Sequence, residues 1–411
     1  MTLNFQELKN KIKMKKLAIF LGAFIVQVSI AQDYVHQVLV LNEGYFDYTT
    51  NQSITPPTIG SYDPVNQTYT TVDTIFGARF ASDMIIDGEY IYIAADNYLY
   101  KYDKNDYSLL SSQNVEGIRN ILVWNDKILV TRGDYDNVTF MPILFNSYLQ
   151  VFNTTDLSFY LEIDTVLGPK WATQNMIIDG NTLYIAINNG FEWGNEKGLI
   201  GIFDMNTMTY LNEIDLGPDG KNPDNMVFDG THLYTVNNKD FTGSSISKID
   251  VSNLTSITTN MLTMNTGCGT SCLRDGKINY QISGDTELYE WDPTLTPTSG
   301  LPLGFSENFY ELAIDEVNNY LYTSSTDWFS YGSINIFDSN NISVGSFTCG
   351  ISPGTIVFDI RNLSVGITEI NAGNALEGKI YDMFGRKLIS LENKSPGIYL
   401  VNGKKIRINS Q

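Results

Sequence analysis

Histidine, a side chain that proteins often use for acid–base catalysis and metal binding, is almost missing from this chain. Its 411 residues include only His36 and His232. His36 precedes the first predicted strand, and His232 lies in a predicted turn away from the longest loops. A histidine-based catalytic triad or a histidine-rich metal site is therefore not expected, and the sequence indicates no cofactor.

Carboxylate chemistry stays open, because several acidic residues fall in loops predicted to share one face: Glu43, Asp83, Glu192 and Asp240. The sequence does not tell whether two of them meet at the separation that a hydrolase needs. Residues 134–137 (Asp-Tyr-Asp-Asn) have some character of a calcium loop but lack its glycine and terminal glutamate. No metal site is therefore predicted.

The chain has three cysteines. Cys268 and Cys272 are close in sequence, and Cys349 is remote. A secreted location, argued below, would permit a disulfide. We expect a small local bond between Cys268 and Cys272, with Cys349 as a free thiol or a rival partner. A metal–thiolate site is disfavoured because further ligands are missing.

Short β-strands must position these residues. Between Thr173 and Ile214, four runs of β-branched and aromatic residues are separated by turns rich in Gly, Asn and Asp. The sequence Met-Ile-Ile-Asp-Gly at 176–180 recurs at 84–88 and, with Val and Phe, at 226–230. A four-stranded unit repeating every ~40–50 residues has the size of a propeller blade.

We therefore predict an all-β chain whose main domain, residues 32–360, is a seven-bladed β-propeller. One blade is split: residues 37–41, 59–63 and 68–75 form three strands, and residues 354–359 supply the innermost one. This strand exchange would close the ring and leave no open sheet edge. The alternative is an open β-sandwich with accidental internal similarity. The other six blades begin at or near Ser82, Arg119, Gln174, Asp224, Cys268 and Phe309.

The N-terminus has the pattern of a secretory signal peptide. Lys15 and Lys16 precede an apolar run, and small residues end at Ala31. The run is short for a membrane span, no cysteine follows it for a lipid anchor, and no other transmembrane segment is predicted. We predict residues 1–31 as the signal peptide. Met14 is an alternative start, which would make residues 1–13 a misassigned extension.

The formal net charge is −20. Such an acidic surface repels phosphate backbones, so we expect no nucleic-acid partner.

Residues 361–411 form a separate predicted β module. They contain Lys-Ile-Tyr-Asp at 379–382, Gly-Arg-Lys at 385–387, Pro-Gly-Ile-Tyr at 396–399 and a basic last strand at 404–408. This pattern resembles the C-terminal sorting domain of the type IX (Por) secretion system of Bacteroidota, without its usual Pro-Asn-Pro opening. The resemblance implies that the type IX machinery is a partner and that the protein is secreted or displayed on the cell surface. The alternative is a short β-hairpin appendage.

Aromatic residues gather in loops predicted on one face of the propeller, whereas the opposite turns are short and polar. This asymmetry favours a binding surface, although the rings could instead order their own loops. A polar residue at the start of each innermost strand could hydrogen-bond a ligand or channel water. The predicted ligand-binding residues are Tyr45, Phe80, Asp83, Asn120, Trp171, Asn175, Trp193, Asn225, Phe241 and Trp328.

The sequence Val-Leu-Asn-Glu-Gly at 40–44, with the blade pattern over 34–360, resembles YncE-like (YVTN-type) secreted propellers of Bacteroidota. That group includes surface propellers that capture cobalamin; those are lipoproteins, whereas this chain lacks the anchoring cysteine. The resemblance implies ligand binding outside the outer membrane, with cobalamin as the leading named ligand.

We therefore predict a non-enzymatic surface protein that binds a small molecule or another surface protein. A carboxylate-based propeller hydrolase or lyase is the first alternative, and an adhesion scaffold is the second. A concave aromatic cup would favour binding, a carboxylate pair would favour catalysis, and a flat loop face would favour adhesion.

Overall fold

The computed structural model describes residues 32–239, 243–262, 269–282, 285–293 and 300–363. It also describes short pieces of the tail: residues 368–369, 380–382, 387–388, 391, 397–401 and 404–408. Every regular element in these ranges is a β-strand, which confirms the all-β prediction. Among the same residues, no helix is long and apolar enough to cross a bilayer. The predicted signal peptide lies outside the described residues.

Seven four-stranded sheets, numbered I to VII, follow one another along the described chain. Consecutive strands within sheets II to VII pair antiparallel. The strands, in their order across each sheet, are: for sheet II, Ala81–Asp87, Tyr90–Ala95, Tyr98–Asp103 and Leu109–Asn114; for sheet III, Ile118–Trp124, Lys127–Arg132, Ser147–Asn153 and Phe159–Asp164; for sheet IV, Thr173–Asp179, Thr182–Ile187, Leu199–Asp204 and Thr209–Asp215; for sheet V, Pro223–Phe228, His232–Asn237, Ser245–Asp250 and Asn253–Met261; for sheet VI, Gly269–Arg274, Lys277–Ile282, Tyr289–Trp291 and Leu301–Pro302; and for sheet VII, Glu311–Asp315, Tyr320–Ser325, Tyr331–Phe337 and Ser343–Ile351.

Sheet I combines strands from both ends of this region. Its order is Pro353–Leu363, Gln32–Asn42, Thr58–Asp63 and Thr68–Thr74, so a late strand is hydrogen-bonded beside the first strand. Buried Val38 and Val40 of sheet I share an apolar cluster with Tyr322 and Ile334 of sheet VII. The first and last sheets of the series are therefore in contact.

Each neighbouring pair of sheets packs in the same way. Leu39 and Ile93 lie in one cluster between sheets I and II, and the residues of both strands alternate toward that interface. Comparable clusters join II with III, III with IV, IV with V, V with VI and VI with VII. Burial between sheets, rather than within any one sheet, supplies the core. This arrangement is propeller-like.

A recurring acidic residue at the end of the third strand has a local cause. The Asp103 carboxylate accepts a hydrogen bond from the Asn105 backbone N–H at 2.7 Å, and Asp204 accepts one from the Asn206 N–H at 2.8 Å. Such Asx turns replace backbone bonds in a tight connection to the fourth strand. The pattern that marked the repeat in the sequence is therefore turn chemistry.

Two small hairpins extend beyond the sheets. Tyr45–Asp47 pairs with Gln52–Thr55, and Asp134–Tyr135 pairs with Pro142–Ile143. The Tyr135 hydroxyl donates to the Tyr48 hydroxyl at 2.7 Å, so the two hairpins contact each other.

The tail forms its own five-stranded sheet, in the order Thr368–Glu369, Lys404–Ile408, Gly397–Val401, Ile380–Asp382 and Lys387–Leu388. Buried Ile380 and Val401 pack with Leu388 and Leu391 in a small separate core. This module belongs to a different compact unit from Val35–Ile360. The tail thus has more strands than a hairpin, which was the alternative prediction, and it has a small core of its own.

Candidate functional site

A cavity of about 440 Å³ lies where the first strands of several sheets begin. Most of its lining comes from consecutive residue pairs, one pair from each of six sheets. The pairs are Ser82 and Asp83, Arg119 and Asn120, Gln174 and Asn175, Asp224 and Asn225, Tyr310 and Glu311, and Gly354 and Thr355.

The backbone explains why two adjacent residues reach the same cavity. In sheets II to V the pairing of the first strand with the second is irregular at this point, between Ala81 and Asp83 in sheet II and between Thr173 and Met176 in sheet IV. The corresponding shifts in sheets III and V follow Ile118 and Pro223. A β-bulge interrupts the alternation of side chains and re-aims them. Four strands thus direct polar side chains into one space.

Asp83 is held by neutral donors. Its carboxylate accepts hydrogen bonds from the backbone N–H groups of Met84 at 2.8 Å and Ile121 at 2.9 Å, and from the Asn120 side-chain amide at 3.3 Å. Burial raises the pKa of Asp83 to about 6, and these hydrogen bonds and the Arg119 charge oppose the rise. The Asn120 Oδ1 atom is buried without a hydrogen-bond partner among the described residues.

Glu43 and Glu311 add two more acids with perturbed titration. Burial raises the pKa of Glu43 to about 7, against a hydrogen bond from the Tyr310 hydroxyl at 2.5 Å. Burial also raises the pKa of Glu311 to about 8, and the charges of Asp83, Glu43 and Asp224 push it in the same direction. Perturbed acids that share one cavity are typical of functional sites.

Arg119 is the basic residue of the cavity lining. Its guanidinium lies 5.1 Å from the Phe191 ring centroid and 5.7 Å from that of Phe80. These are cation–π distances. The Arg119 Nε–H also faces the Gln174 side-chain oxygen at 3.5 Å.

Aromatic residues form a second cavity of about 460 Å³ that shares Glu43, Tyr48 and Phe80 with the first. Trp328 contacts Tyr310 edge-on, with ring centroids 4.6 Å apart. Trp328 also has a φ of 73°, a left-handed conformation that a bulky residue rarely adopts. The other aromatic residues that line this second cavity but not the first are Tyr45, Phe46 and Phe329.

The structure separates the residues predicted to bind ligand into three groups. Phe80, Asp83, Asn120, Asn175 and Asn225 line the first cavity, and Tyr45 and Trp328 line the second. Of the remaining three, the two that the structure describes line neither cavity. Trp171 packs under the Lys197 ammonium at 4.4 Å, Trp193 is 79% exposed, and Phe241 lies outside the described residues.

Sequence reasoning missed Tyr310, Glu311, Arg119 and Gln174 as lining residues. Arg119 and Gln174 could have been predicted from the sequence, because each directly precedes an asparagine that was predicted to bind ligand at the start of a first strand. Glu311 gave no such signal, because its repeat has diverged and carries a glutamate where four other repeats have Asp83, Asn120, Asn175 and Asn225.

Several other acids that the sequence brought forward have local roles. Glu192 accepts hydrogen bonds from the side chains of Asn189 and Asn195. Asp134 pairs with Arg79 at 2.7 Å, and Asp136 accepts backbone hydrogen bonds in its own turn. Among the described residues, no group of three His, Cys, Asp or Glu side chains could hold a metal ion. Asp240 lies outside those residues.

The predicted disulfide between Cys268 and Cys272 is wrong. Cys272 is a buried free thiol, as is Cys349, and Cys268 lies outside the described residues. Cys272 sits within the extended strand Gly269–Arg274 and packs against Phe309 and Leu312 between sheets VI and VII. Burial in this apolar interface raises the pKa of its thiol to about 12.

The comparisons with known proteins support the fold alone. No protein family matches the chain, and no curated protein matches it. A hypothetical selenium-binding protein from Sulfolobus tokodaii is similar in structure, with a TM-score of 0.56, 10% identity, and coverage of 80% of this chain and 94% of that one. A candidate 6-phosphogluconolactonase from Bacteroides fragilis gives 0.55 at 14% identity, covering 79% and 98%. A functionally unknown protein from Desulfotomaculum acetoxidans gives 0.53 at 12% identity, covering 79% and 98%. These neighbours are propeller-like proteins, and at such identities they carry no function to this chain.

Proposed function

We propose that the seven sheets are the blades of a closed seven-bladed propeller of the YncE-like type. Two observations support closure by strand exchange. The strand Pro353–Leu363 lies beside Gln32–Asn42 in sheet I, and sheets I and VII share one buried apolar cluster. The cavity of about 440 Å³ then lies over the propeller axis, because the first strand of each sheet is the innermost one.

On this fold the chain acts as a non-enzymatic binding protein for a small molecule held in the axial cavity. The observation that carries the proposal is the convergence of polar pairs from six sheets on one concave space walled by aromatic rings. Its volume lies within the roughly 300–1,000 Å³ typical of small-molecule sites. The concave shape opposes the adhesion scaffold, for which a flat face was the expected sign.

Two ligands can be named, one from the family resemblance and one from a structural neighbour, and each can be compared with the size and charge of the cavity. Cobalamin, implied by the YncE-like surface propellers, is too large for either cavity alone and would have to extend over both, whose linings share Glu43, Tyr48 and Phe80. A phosphorylated lactone, suggested by the name of the Bacteroides fragilis neighbour, would meet four acidic residues and one arginine in the lining. That balance disfavours an anion.

The test is equilibrium dialysis of the full chain against a defined mixture of sugars, amines, nucleosides and cyanocobalamin, read by mass spectrometry. Asn175→Trp would fill the cavity and is expected to abolish retention of any bound compound. Asn206→Trp makes the same change on an exposed turn and should bind like the parent protein. Equal retention by all three proteins, or retention by none, would refute an axial binding site.

Acid–base catalysis is the second candidate, and one observation favours it. Glu43 and Glu311 face the same cavity with pKa values of about 7 and 8, near the pH at which a general acid or base works best. If the protein is a hydrolase or lyase, the dialysis should yield altered compounds. Glu43→Gln or Glu311→Gln should then keep binding and lose conversion.

We further propose export, with residues 1–31 as signal peptide and residues 361–411 as a type IX sorting module. The five-stranded tail sheet with its own small core supports a separable module. Expression in a type IX-competent Bacteroidota host tests this. The full chain should be accessible to external protease, and a chain ending at residue 360 should stay in the periplasm. Surface exposure of the truncated chain would refute the assignment.

A further inference from the structure

Acidic side chains outnumber basic ones in the lining of the axial cavity. Its lining contains Glu43, Asp83, Asp224 and Glu311 but one basic residue, Arg119. No salt bridge to Glu43, Asp83 or Glu311 occurs within the described residues.

Neutral groups satisfy these acids instead. The Tyr310 hydroxyl donates to Glu43, and the Thr270 hydroxyl donates to Glu311 at 3.4 Å. The backbone N–H groups of Met84 and Ile121 and the Asn120 side-chain amide donate hydrogen bonds to Asp83. The lining of the cavity therefore carries four acidic side chains against the single basic side chain of Arg119.

The aromatic walls are compatible with a cation. Phe80 and Phe191 already lie at cation–π distance from the Arg119 guanidinium. Tyr48, Tyr135 and Tyr310 place further π systems along the same cavity. Aromatic rings combined with carboxylates are the groups that recognise organic ammonium ions, because both attract positive charge without demanding metal coordination geometry.

We propose that the ligand of the axial cavity is an organic cation carrying a primary or quaternary ammonium group. This inference rests on the proposed binding function and names its ligand class. A bare metal ion fits less well, since the described residues contain no group of three ligating side chains. An anionic ligand would be repelled by the excess of acidic side chains, and an uncharged sugar would bring no positive charge to pair with them.

Binding of such a cation should release protons. Glu43 faces Tyr310 and Arg119, and Glu311 faces Thr270 together with the charges of Asp83, Asp224 and Glu43 and the buried Cys272 thiol. Burial raises the pKa of Glu43 to about 7 and that of Glu311 to about 8, so both carboxyl groups can release a proton near neutral pH. A bound ammonium ion favours their charged forms, so affinity should rise with pH.

The experiment is calorimetric titration of the full chain with choline, with spermidine, and with dimethylbutanol, the uncharged carbon analogue of choline. We expect at least one of the two cations to bind, with choline at least about tenfold tighter than dimethylbutanol if choline is the one that fits. Affinity for the bound cation should increase from about pH 6 to about pH 9. Buffers of different ionisation enthalpy should reveal the released protons.

The double variant Glu43→Gln/Glu311→Gln should lose the cation preference and the pH dependence. Glu162→Gln, on an exposed strand face, is the matched control and should retain both. If choline binds, equal affinity for dimethylbutanol would overturn the inference; failure of both cations to bind would also overturn it. If neither cation binds but dialysis retains an uncharged compound, the ligand class is wrong and the binding function stands. If nothing is retained, both fail.

Discussion

Removal of the Lys104 charge should destabilise the seven-sheet region through sheet I, which contains both its first strand and the late strand Pro353–Leu363. Lys104 Nζ lies 3.2 Å from the Asp359 carboxylate, and these side chains are 9% and 1% exposed. Gln37 donates to Asp359 at 3.2 Å and to the Lys104 backbone oxygen at 3.1 Å. Ser61 and Tyr107 donate to the Gln37 oxygen, both at 2.6 Å. One buried polar network thus ties the late strand to the first.

The expected magnitude follows from burial. Lys104→Met keeps about the same side-chain volume but removes the ammonium group that pairs with the buried Asp359 carboxylate. Breaking a buried ion pair in this way costs about 3–5 kcal/mol. At about 2 °C per kcal/mol for a large domain, the melting temperature should fall by roughly 6–10 °C.

Circular dichroism melts of three variants measure this effect. Lys127→Met is the matched control, because its partner Asp126 is 75% exposed and stays solvated when the lysine is lost. Its loss should cost about 1 kcal/mol or less. The double variant Lys104→Met/Asp359→Leu should recover part of the stability, because it removes the buried carboxylate together with the ammonium group. A drop for Lys104→Met no larger than that for Lys127→Met would refute the reasoning.

Three further results are expected. The folded-state pKa of Glu43, about 7, exceeds its ordinary 4.5, so the folded state binds the proton more tightly and stability falls as pH rises between these values. Chemical denaturation should therefore show that Glu43→Gln removes up to roughly 3 kcal/mol of this decline, and an unchanged pH profile would contradict it. Gly354→Ala would bring its Cβ into steric conflict with the Glu43 carboxylate oxygen. Since that oxygen ends a flexible side chain, the fold should survive while carboxyl NMR reports an altered Glu43 titration; an unaltered one would show that the carboxylate had not moved. In a Cys268→Ser variant, the buried Cys272 and Cys349 thiols, both with pKa raised to about 12, should react with a thiol reagent only after unfolding. Prompt labelling of the native variant would show that one of them is accessible.

Much of the local structure was predictable because it depends on neighbours in sequence. Alternating β-branched and aromatic residues, with Asp-Gly turns, indicate strands through local sterics and hydrogen bonding. The repeat length then indicates four-stranded units, and the polar residue at each unit start indicated Asp83, Asn120, Asn175 and Asn225. All four lie at the cavity, since the repeated bulge presents equivalent positions to the same space.

Other properties of the site depend on residues distant in sequence. Glu43 meets Tyr310 across 267 positions, and its pKa rises because the assembled sheets remove water from it. The pKa of Glu311 is raised by burial and by the charges of three acids from other parts of the chain. Desolvation is a property of the packed assembly, so no short motif contains it.

The sequence by itself therefore determined the strands, their turns and the polar character of the innermost positions, because these follow from local steric and hydrogen-bonding preferences. Only the tertiary structure decided which acids share one cavity, which aromatic rings stand over it, and that Cys272 faces an apolar interface. The physical reason is that charge balance and solvent exclusion arise where several sheets meet, and they depend on distances that the linear chain does not contain.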